Sequence, residues 1–182
     1  MATVLIPLAQ GCEELEAVTL MDILRRAGVQ VTTASLGEKT IKASRGAVLL
    51  ADMTLDEALE QEFDMIVLPG GMPGSDHLKN DPRIITRLQH MAAQNKPIAA
   101  ICAAPMALHH AGLLEGRRAT SFPGVLEALP GSHIVLDDPV VVDGNVITSR
   151  GPGTAMDFAL RLVEILLGKT VRDNVEKPLQ RP

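Results

Sequence analysis

The chain has 182 residues, of which 46% are hydrophobic, 21% charged and 2% aromatic, and its formal net charge is −5. This length and apolar content suffice for one domain with a sizeable core, which excludes an intrinsically disordered protein. The negative charge and the scarcity of aromatic rings argue against binding to nucleic acids or to anionic membranes. No apolar stretch approaches the ~18 residues of a membrane span, and two cysteines are too few for a disulfide scaffold, so we expect a cytoplasmic protein.

Short apolar runs alternate with helical patterns along the chain. In chain order they predict a strand at Val4–Leu8, a helix at Cys12–Ala27, a strand at Val29–Ala34, an edge strand or hairpin at Gly46–Leu50, a strand at Met65–Leu68, a helix at Ile84–Gln94, a strand at Pro97–Ile101, a helix at Pro105–Leu114, a hairpin at Pro139–Ser149 and a helix at Met156–Leu167. We interpret residues 1–182 as a single domain, with a loose C-terminal tail over 176–182.

The predicted strands are continuously apolar, so we expect both faces of their sheet to be buried. With helices between them, they predict a flavodoxin-like, doubly wound α/β fold with a mostly parallel sheet sandwiched by helices. Ligands of such sheets bind beyond the carboxyl ends of the strands. Three of these ends carry reactive or glycine-rich segments: Gly11–Glu16, Pro69–Gly74 and Cys102–Pro105. An FMN carrier would share this fold class, but the sequence lacks a phosphate loop and flanking aromatic residues.

Cys102 lies where a predicted strand turns directly into a helix. Its small neighbours Ala103 and Ala104 permit the tight turn of a nucleophile elbow, which presents a side chain to the crevice. The N–H groups at the start of the helix at Pro105 would lower the pKa of the thiol. The alternative is that Cys102 is a small buried hydrophobic residue.

The first predicted helix carries acidic residues in its first turn. Glu13 and Glu16 fall on its apolar face, where a carboxylate is costly unless it has a partner. Glu14 lies near the edge of that face and is better explained by the helix dipole. We expect Glu16 to point toward Cys102 and the two groups to share one proton, with a protonated Glu16 donating to a Cys102 thiolate.

Gly70 and Gly71 follow the third buried strand and could supply backbone N–H groups to an oxyanion. Gly-Gly after a strand is also an ordinary turn, so this pair alone does not define a site. The histidines have no ligand spacing for a metal, so we expect none to be bound, and surface or satisfied polar roles fit them better. They are His77, His90, His109, His110 and His133.

Ordered motifs across nearly the whole chain resemble those of the ThiJ/DJ-1/PfpI superfamily, in particular its small bacterial YajL-like branch. The matching segments are Gly11–Glu16, Arg25–Gly28, Leu68–Gly71, Ala99–Pro105 and Thr148–Thr154. The resemblance implies that Cys102 is the nucleophile, that Glu16 is its protonated hydrogen-bond partner, and that Gly70, Gly71 and the Ala103 amide line the oxyanion site. It also implies a homodimer with Asp22, Arg26 and Arg45 toward the interface.

Two positions depart from the family pattern. Phe122, in Ser121-Phe122-Pro123, stands where many relatives carry a histidine, so a Cys/Glu/His arrangement is incomplete and protease activity is not expected. Cys12 stands where relatives often have Ala. It could be a second redox thiol or a passive small residue.

Two function classes follow from this resemblance. The first is an enzyme without a cofactor, of deglycase or glyoxalase III type, in which Cys102 attacks methylglyoxal, glyoxal or their early adducts and Glu16 moves protons. The second is a redox sensor or chaperone in which Cys102 is oxidised to a sulfinate. Both require a reactive Cys102 thiol, so the sequence does not separate them.

Overall fold

A seven-stranded sheet runs through the middle of the computed structural model, which describes residues 1–181. The strands are β1 (Thr3–Leu8), β2 (Gln30–Ser35), β3 (Thr40–Lys42), β4 (Val48–Leu50), β5 (Met53–Thr54), β6 (Met65–Leu68), β7 (Ile98–Ile101), β8 (Arg118–Ala119), β9 (Ile134–Val135), β10 (Val140–Asp143) and β11 (Val146–Ser149). The helices are α1 (Glu14–Arg26), α2 (Leu55–Leu59), α3 (Gly74–Asn80), α4 (Pro82–Ala93), α5 (Pro105–His110), α6 (Ala155–Leu167) and α7 (Lys169–Glu176).

The order of strands in the main sheet is β10-β11-β7-β6-β1-β2-β5. All neighbours are parallel except β10 and β11, which form an antiparallel hairpin at one edge. Gly144 and Asn145 form the two-residue turn of this hairpin, in which Gly144 has a φ of +60°. The predicted doubly wound α/β fold is confirmed.

Helices cover both faces of the sheet, and each face has its own apolar core. One core joins β1 and β6 to the buried faces of α1 and α6, where Leu20 and Phe158 are fully buried. The other joins the opposite side of the strands to α2, α3, α4 and α5. Because every residue of β6 and β7 is buried, these strands have the continuous apolar sequences from which burial on both faces is predicted.

The strands β3 and β4 form a separate antiparallel hairpin beside the first loop of the chain. Gln10 bridges to it through its side chain, donating to the Thr40 carbonyl and accepting from the Lys42 N–H, both at 2.8 Å. The Glu14 carboxylate accepts the backbone N–H of Arg45 at 3.0 Å. These contacts hold the hairpin against the start of α1.

The chain end differs from the prediction of a loose tail over 176–182. After α7, residues Lys177–Leu179 form a 3₁₀ turn. Arg181 pairs with Asp157 at 2.6 Å and with Glu176 at 3.0 Å, so ion pairs fasten this segment to α6 and α7. The expected tail was wrong as far as residue 181, because Leu179 packs against the core and ion pairs hold Arg181. Pro182 lies outside the described residues. No helix within residues 1–181 is long and apolar enough to cross a membrane.

Candidate functional site

Cys102 occupies a sharp turn between β7 and α5. Its φ of +64° is in the left-handed region, which is strained for a residue with a Cβ. Its backbone N–H donates to the Ser149 carbonyl at 3.0 Å, and its carbonyl accepts the Phe122 N–H at 2.8 Å. Hydrogen bonds on both sides therefore fix the strained residue, and the geometry agrees with the predicted nucleophile elbow. The side chain remains slightly accessible, at 9% exposure.

Glu16 lies in the first turn of α1 with its side chain fully buried. Its Oε2 accepts the Gly70 N–H at 2.7 Å, and its carboxyl contacts the Cys102 thiol. Within residues 1–181 its Oε1 has no hydrogen-bond partner. A buried carboxyl with an unused oxygen beside a thiol is costly to keep charged, and it is available to exchange a proton.

Gly70 lies where the two side chains meet. A Cβ at this position would lie 2.6 Å from the Cys102 Cβ and 2.7 Å from the Glu16 Oε2, so no larger residue fits without displacing one of them. Its N–H is already bonded to Glu16, which corrects the expectation that Gly70 donates to an oxyanion. The N–H groups of Gly71 and Ala103 contact the sulfur instead. Gly70 therefore positions the pair, and the two other amides lie near the Cys102 sulfur.

The electrostatics of the pair are dominated by burial. Burial raises the pKa of the Glu16 carboxyl to about 7, opposed by the hydrogen bond from Gly70. Burial, followed by the charge of Glu16, raises the pKa of the Cys102 thiol to about 12. The predicted lowering of the thiol pKa by the helix was wrong, because desolvation and a neighbouring carboxylate outweigh the N–H groups of a six-residue helix. The Glu16 carboxyl therefore loses its proton before the Cys102 thiol does, so above about pH 7 the one remaining proton of the pair lies on the thiol rather than on Glu16 as expected.

The other acidic residues of this segment have separate roles. Glu13 is the N-cap of α1 rather than part of its apolar face, and its Oε2 accepts the Ser44 hydroxyl at 3.0 Å. Glu14 binds the β3–β4 hairpin through the backbone of Arg45 and Ala47. Neither carboxylate reaches the thiol of Cys102 by hydrogen bond. Both instead bind the segment at Ser44 and Arg45, between β3 and β4.

Cys12 is fully buried in the core on the α1 side of the sheet. Burial, followed by the charge of Glu14, raises the pKa of its thiol to about 11. A buried, protonated thiol is poorly reactive. The environment of Cys12 therefore favours a passive small core residue over a second redox thiol.

The residues expected at a dimer interface are all on the surface. Asp22 and Arg26 form an ion pair with each other along α1 at 2.7 Å, and both are about half exposed. Arg45 is exposed at the turn of the β3–β4 hairpin.

The histidines lie outside the Cys102 site. His109 is bonded to the Pro130 carbonyl and His133 to the Leu126 carbonyl, which agrees with satisfied polar roles. Within residues 1–181 no group of three or more His, Cys, Asp or Glu is arranged to hold a metal ion.

Ser149 supports the turn of Cys102, a role that the sequence analysis did not predict. Ser149 ends β11, and its carbonyl holds the Cys102 amide. Its hydroxyl is bonded to the Pro139 carbonyl and to the Thr154 hydroxyl, both at 2.7 Å. The signal available in the sequence was the position of Ser149 at the carboxyl end of a strand.

Comparisons with known proteins agree with this geometry. The DJ-1/PfpI family model matches residues 2–165. Protein dj-1beta of Drosophila melanogaster is 42% identical over 177 residues, which are 96% of this chain and 95% of the relative. A relative from Caenorhabditis elegans named glutathione-independent glyoxalase is 36% identical over 98% of this chain and 95% of its own. Two DJ-1 homologs of Arabidopsis thaliana are each 45% identical, and the chain spans 38% and 44% of their lengths.

Solved structures give the same answer for the fold. The crystal structure of Drosophila melanogaster DJ-1beta superposes with a TM-score of 0.94 and 40% identity, covering 100% of this chain and 98% of that one. The oxidized DJ-1 of Toxoplasma gondii superposes with a TM-score of 0.94 and 36% identity over 98% of each chain. The chain belongs to the DJ-1/PfpI family.

Proposed function

We propose that this protein is a cysteine-dependent enzyme, needing no cofactor, that acts on methylglyoxal, glyoxal or their early adducts, as deglycases and glyoxalases of the glutathione-independent type do. The observation that carries the proposal is the buried Glu16 carboxyl against the Cys102 thiol, with one carboxyl oxygen free of hydrogen bonds within residues 1–181. The name of the C. elegans relative supports this substrate class.

The pair can perform the conversion of methylglyoxal to lactate by moving protons. Glu16 accepts the thiol proton as the sulfur of Cys102 attacks the aldehyde carbon, and the new hydroxyl takes that proton. The N–H groups of Gly71 and Ala103 stabilise the charge that develops on the oxygen. Glu16 then carries the proton from the former aldehyde carbon to the neighbouring carbonyl carbon through an enediol, which leaves a thioester. Water hydrolyses the thioester to lactate and restores the thiol, so the net reaction consumes one water molecule.

The test is turnover of methylglyoxal by purified protein without glutathione, with lactate measured by proton NMR. We expect Cys102→Ser to lose at least ~100-fold in kcat, because the nucleophile is removed, while circular dichroism shows an unchanged fold. Glu16→Gln should lose ~100-fold or more, since general acid-base catalysis contributes that much. Cys12→Ser is the matched control and should keep wild-type turnover. Absence of lactate from the wild type, or undiminished turnover in Cys102→Ser, would contradict the enzyme.

A second candidate is a redox sensor that uses the same thiol. The observation in its favour is that Cys102 retains 9% exposure whereas Cys12 has none, so peroxide reaches one thiol before the other. Two equivalents of hydrogen peroxide would oxidise the thiol to a sulfinic acid and release two molecules of water. Mass spectrometry after mild peroxide treatment should show two added oxygens on Cys102 first. Oxidation of Cys12 before Cys102 would argue against the sensor.

We also propose a homodimer through the exposed side of α1 and the β3–β4 hairpin. Four apolar side chains on this side are 45–75% exposed: Leu15, Val18, Val48 and Leu50. Asp22, Arg26 and Arg45 lie on the same elements and supply polar groups around them. Light scattering should give about twice the mass of the chain, and V18K with L50K should reduce it to that of a monomer. We propose a cytoplasmic location, which the free thiols of Cys12 and Cys102 support.

A further inference from the structure

Phe122 is the one phenylalanine of the chain that is not in a core. Phe63 and Phe158 are at most 3% exposed, whereas Phe122 is 50% exposed. An aromatic side chain left half in water loses much of the stabilisation that burial would provide. Its exposure therefore requires an explanation beyond packing of the fold.

Hydrogen bonds place Phe122 beside the nucleophile. Its N–H donates to the Cys102 carbonyl at 2.8 Å. The Ser121 hydroxyl donates to the Phe122 carbonyl at 2.9 Å and accepts the Leu126 N–H at 3.2 Å, which fixes the turn that carries the ring. The Phe122 Cδ2 lies 3.5 Å from the position that a Cβ on Gly151 would take. The ring thus rests on the segment that follows β11, next to the elbow.

A second exposed apolar residue follows a glycine that lies at the thiol. Met72 is 50% exposed and directly follows Gly71, whose N–H contacts the Cys102 sulfur. Exposed apolar residues therefore adjoin the turn of Cys102 on two sides, Phe122 through its hydrogen bond to the Cys102 carbonyl and Met72 through Gly71. The surface beside this turn offers apolar side chains to a substituent of the substrate.

We infer that Phe122 determines substrate specificity by contacting the substituent on the ketone carbon of a 2-oxoaldehyde. The inference rests on the proposed function and deepens it by naming the substrate class: aryl and alkyl 2-oxoaldehydes, such as phenylglyoxal and methylglyoxal, in preference to glyoxal, which carries only hydrogen there. An apolar contact with a phenyl or methyl group is made equally in the bound substrate and in the transition state. Its loss should therefore raise KM and leave kcat nearly unchanged.

The experiment measures kcat and KM for phenylglyoxal, methylglyoxal and glyoxal in the wild type, Phe122→Ala and Phe122→Leu. One apolar group in a pocket changes discrimination by about tenfold or more, and a half-open wall should give the lower end of that range. We expect the ratio of kcat/KM for phenylglyoxal over glyoxal to fall about tenfold in Phe122→Ala, through KM. In Phe122→Leu, which keeps apolar surface, the ratio should stay within about threefold of the wild type.

Ile134→Ala is the matched control, because Ile134 is 53% exposed on β9, which pairs with β8 in a separate two-stranded sheet. It should leave the ratio unchanged. An equal loss of kcat for all three substrates in Phe122→Ala would show a structural role and overturn the inference. An unchanged ratio in Phe122→Ala would overturn it as well. If the wild type converts none of the three substrates, the proposed function itself fails, and the inference fails with it.

Discussion

Replacing Glu16 by Gln should change how stability depends on pH, because the buried carboxyl is costly to ionise. Its pKa rises from 4.5 to about 7 in the folded protein, chiefly through burial. The folded state therefore binds this proton more tightly than the unfolded state. Below pH ~4.5 the group is protonated in both states and costs nothing. Between pH ~4.5 and ~7 stability falls as pH rises, and above that range the full penalty is present.

The magnitude follows from the two pKa values. A rise from 4.5 to about 7 corresponds to about 3 kcal/mol at high pH, of which about 2 to 3 kcal/mol develops between pH 5 and pH 8.5. Gln cannot ionise, so Glu16→Gln removes this dependence. The thiols of Cys102 and Cys12, whose pKa values are raised to about 12 and about 11, stay protonated over this range, and the remaining titrating groups are common to both proteins and cancel in the difference. Any hydrogen bond that Gln forms less well shifts the whole difference by an amount independent of pH.

The assay is urea denaturation of both proteins from pH 5 to pH 8.5, at one protein concentration, because association also affects apparent stability. The free energy of unfolding of Glu16→Gln minus that of the wild type should increase by about 2 kcal/mol or more over this range. Glu60→Gln alters an exposed glutamate and should leave the difference flat. A difference for Glu16→Gln that stays constant within ~0.5 kcal/mol would refute the assignment of a buried, reluctantly ionised carboxyl.

Three further outcomes test the site and its surroundings. The kcat/KM for methylglyoxal should rise with pH through about 7, as the carboxyl and thiol lose the first of their protons, and a decline over pH 6–8 would contradict a shared proton. Gly70→Ala should destabilise the protein by about 2 kcal/mol in urea, because its Cβ would lie 2.6 Å from that of Cys102; Gly37→Ala, with nothing within 4 Å, should change stability little. His133→Ala removes the 2.8 Å bond to the Leu126 carbonyl and should speed hydrogen exchange in that loop, by roughly 1 kcal/mol of lost protection; unchanged exchange would show that the bond does not hold the loop.

Short or polar elements could not be read from the sequence. The strand β5 has two residues and α2 has five, which is too few to show a period. In α7 only Val175 is buried, and ion pairs such as Arg172 to Glu176 at 2.8 Å support the helix. Such elements form because the rest of the fold supplies partners for them. The local sequence of each element contains little information about those partners.

The sequence by itself determined the sheet, its mainly parallel direction and the elbow at Cys102, because continuous apolar strands and a small-residue turn are local patterns. The sequence also predicts that Glu16 and Cys102 lie at the same edge of the sheet, since the carboxyl ends of parallel strands meet there. Tertiary structure alone decided that the Gly70 N–H is used by Glu16 and that burial raises the pKa of the thiol. Desolvation and hydrogen-bond occupancy depend on every neighbouring atom, and those neighbours come from segments far apart in the chain.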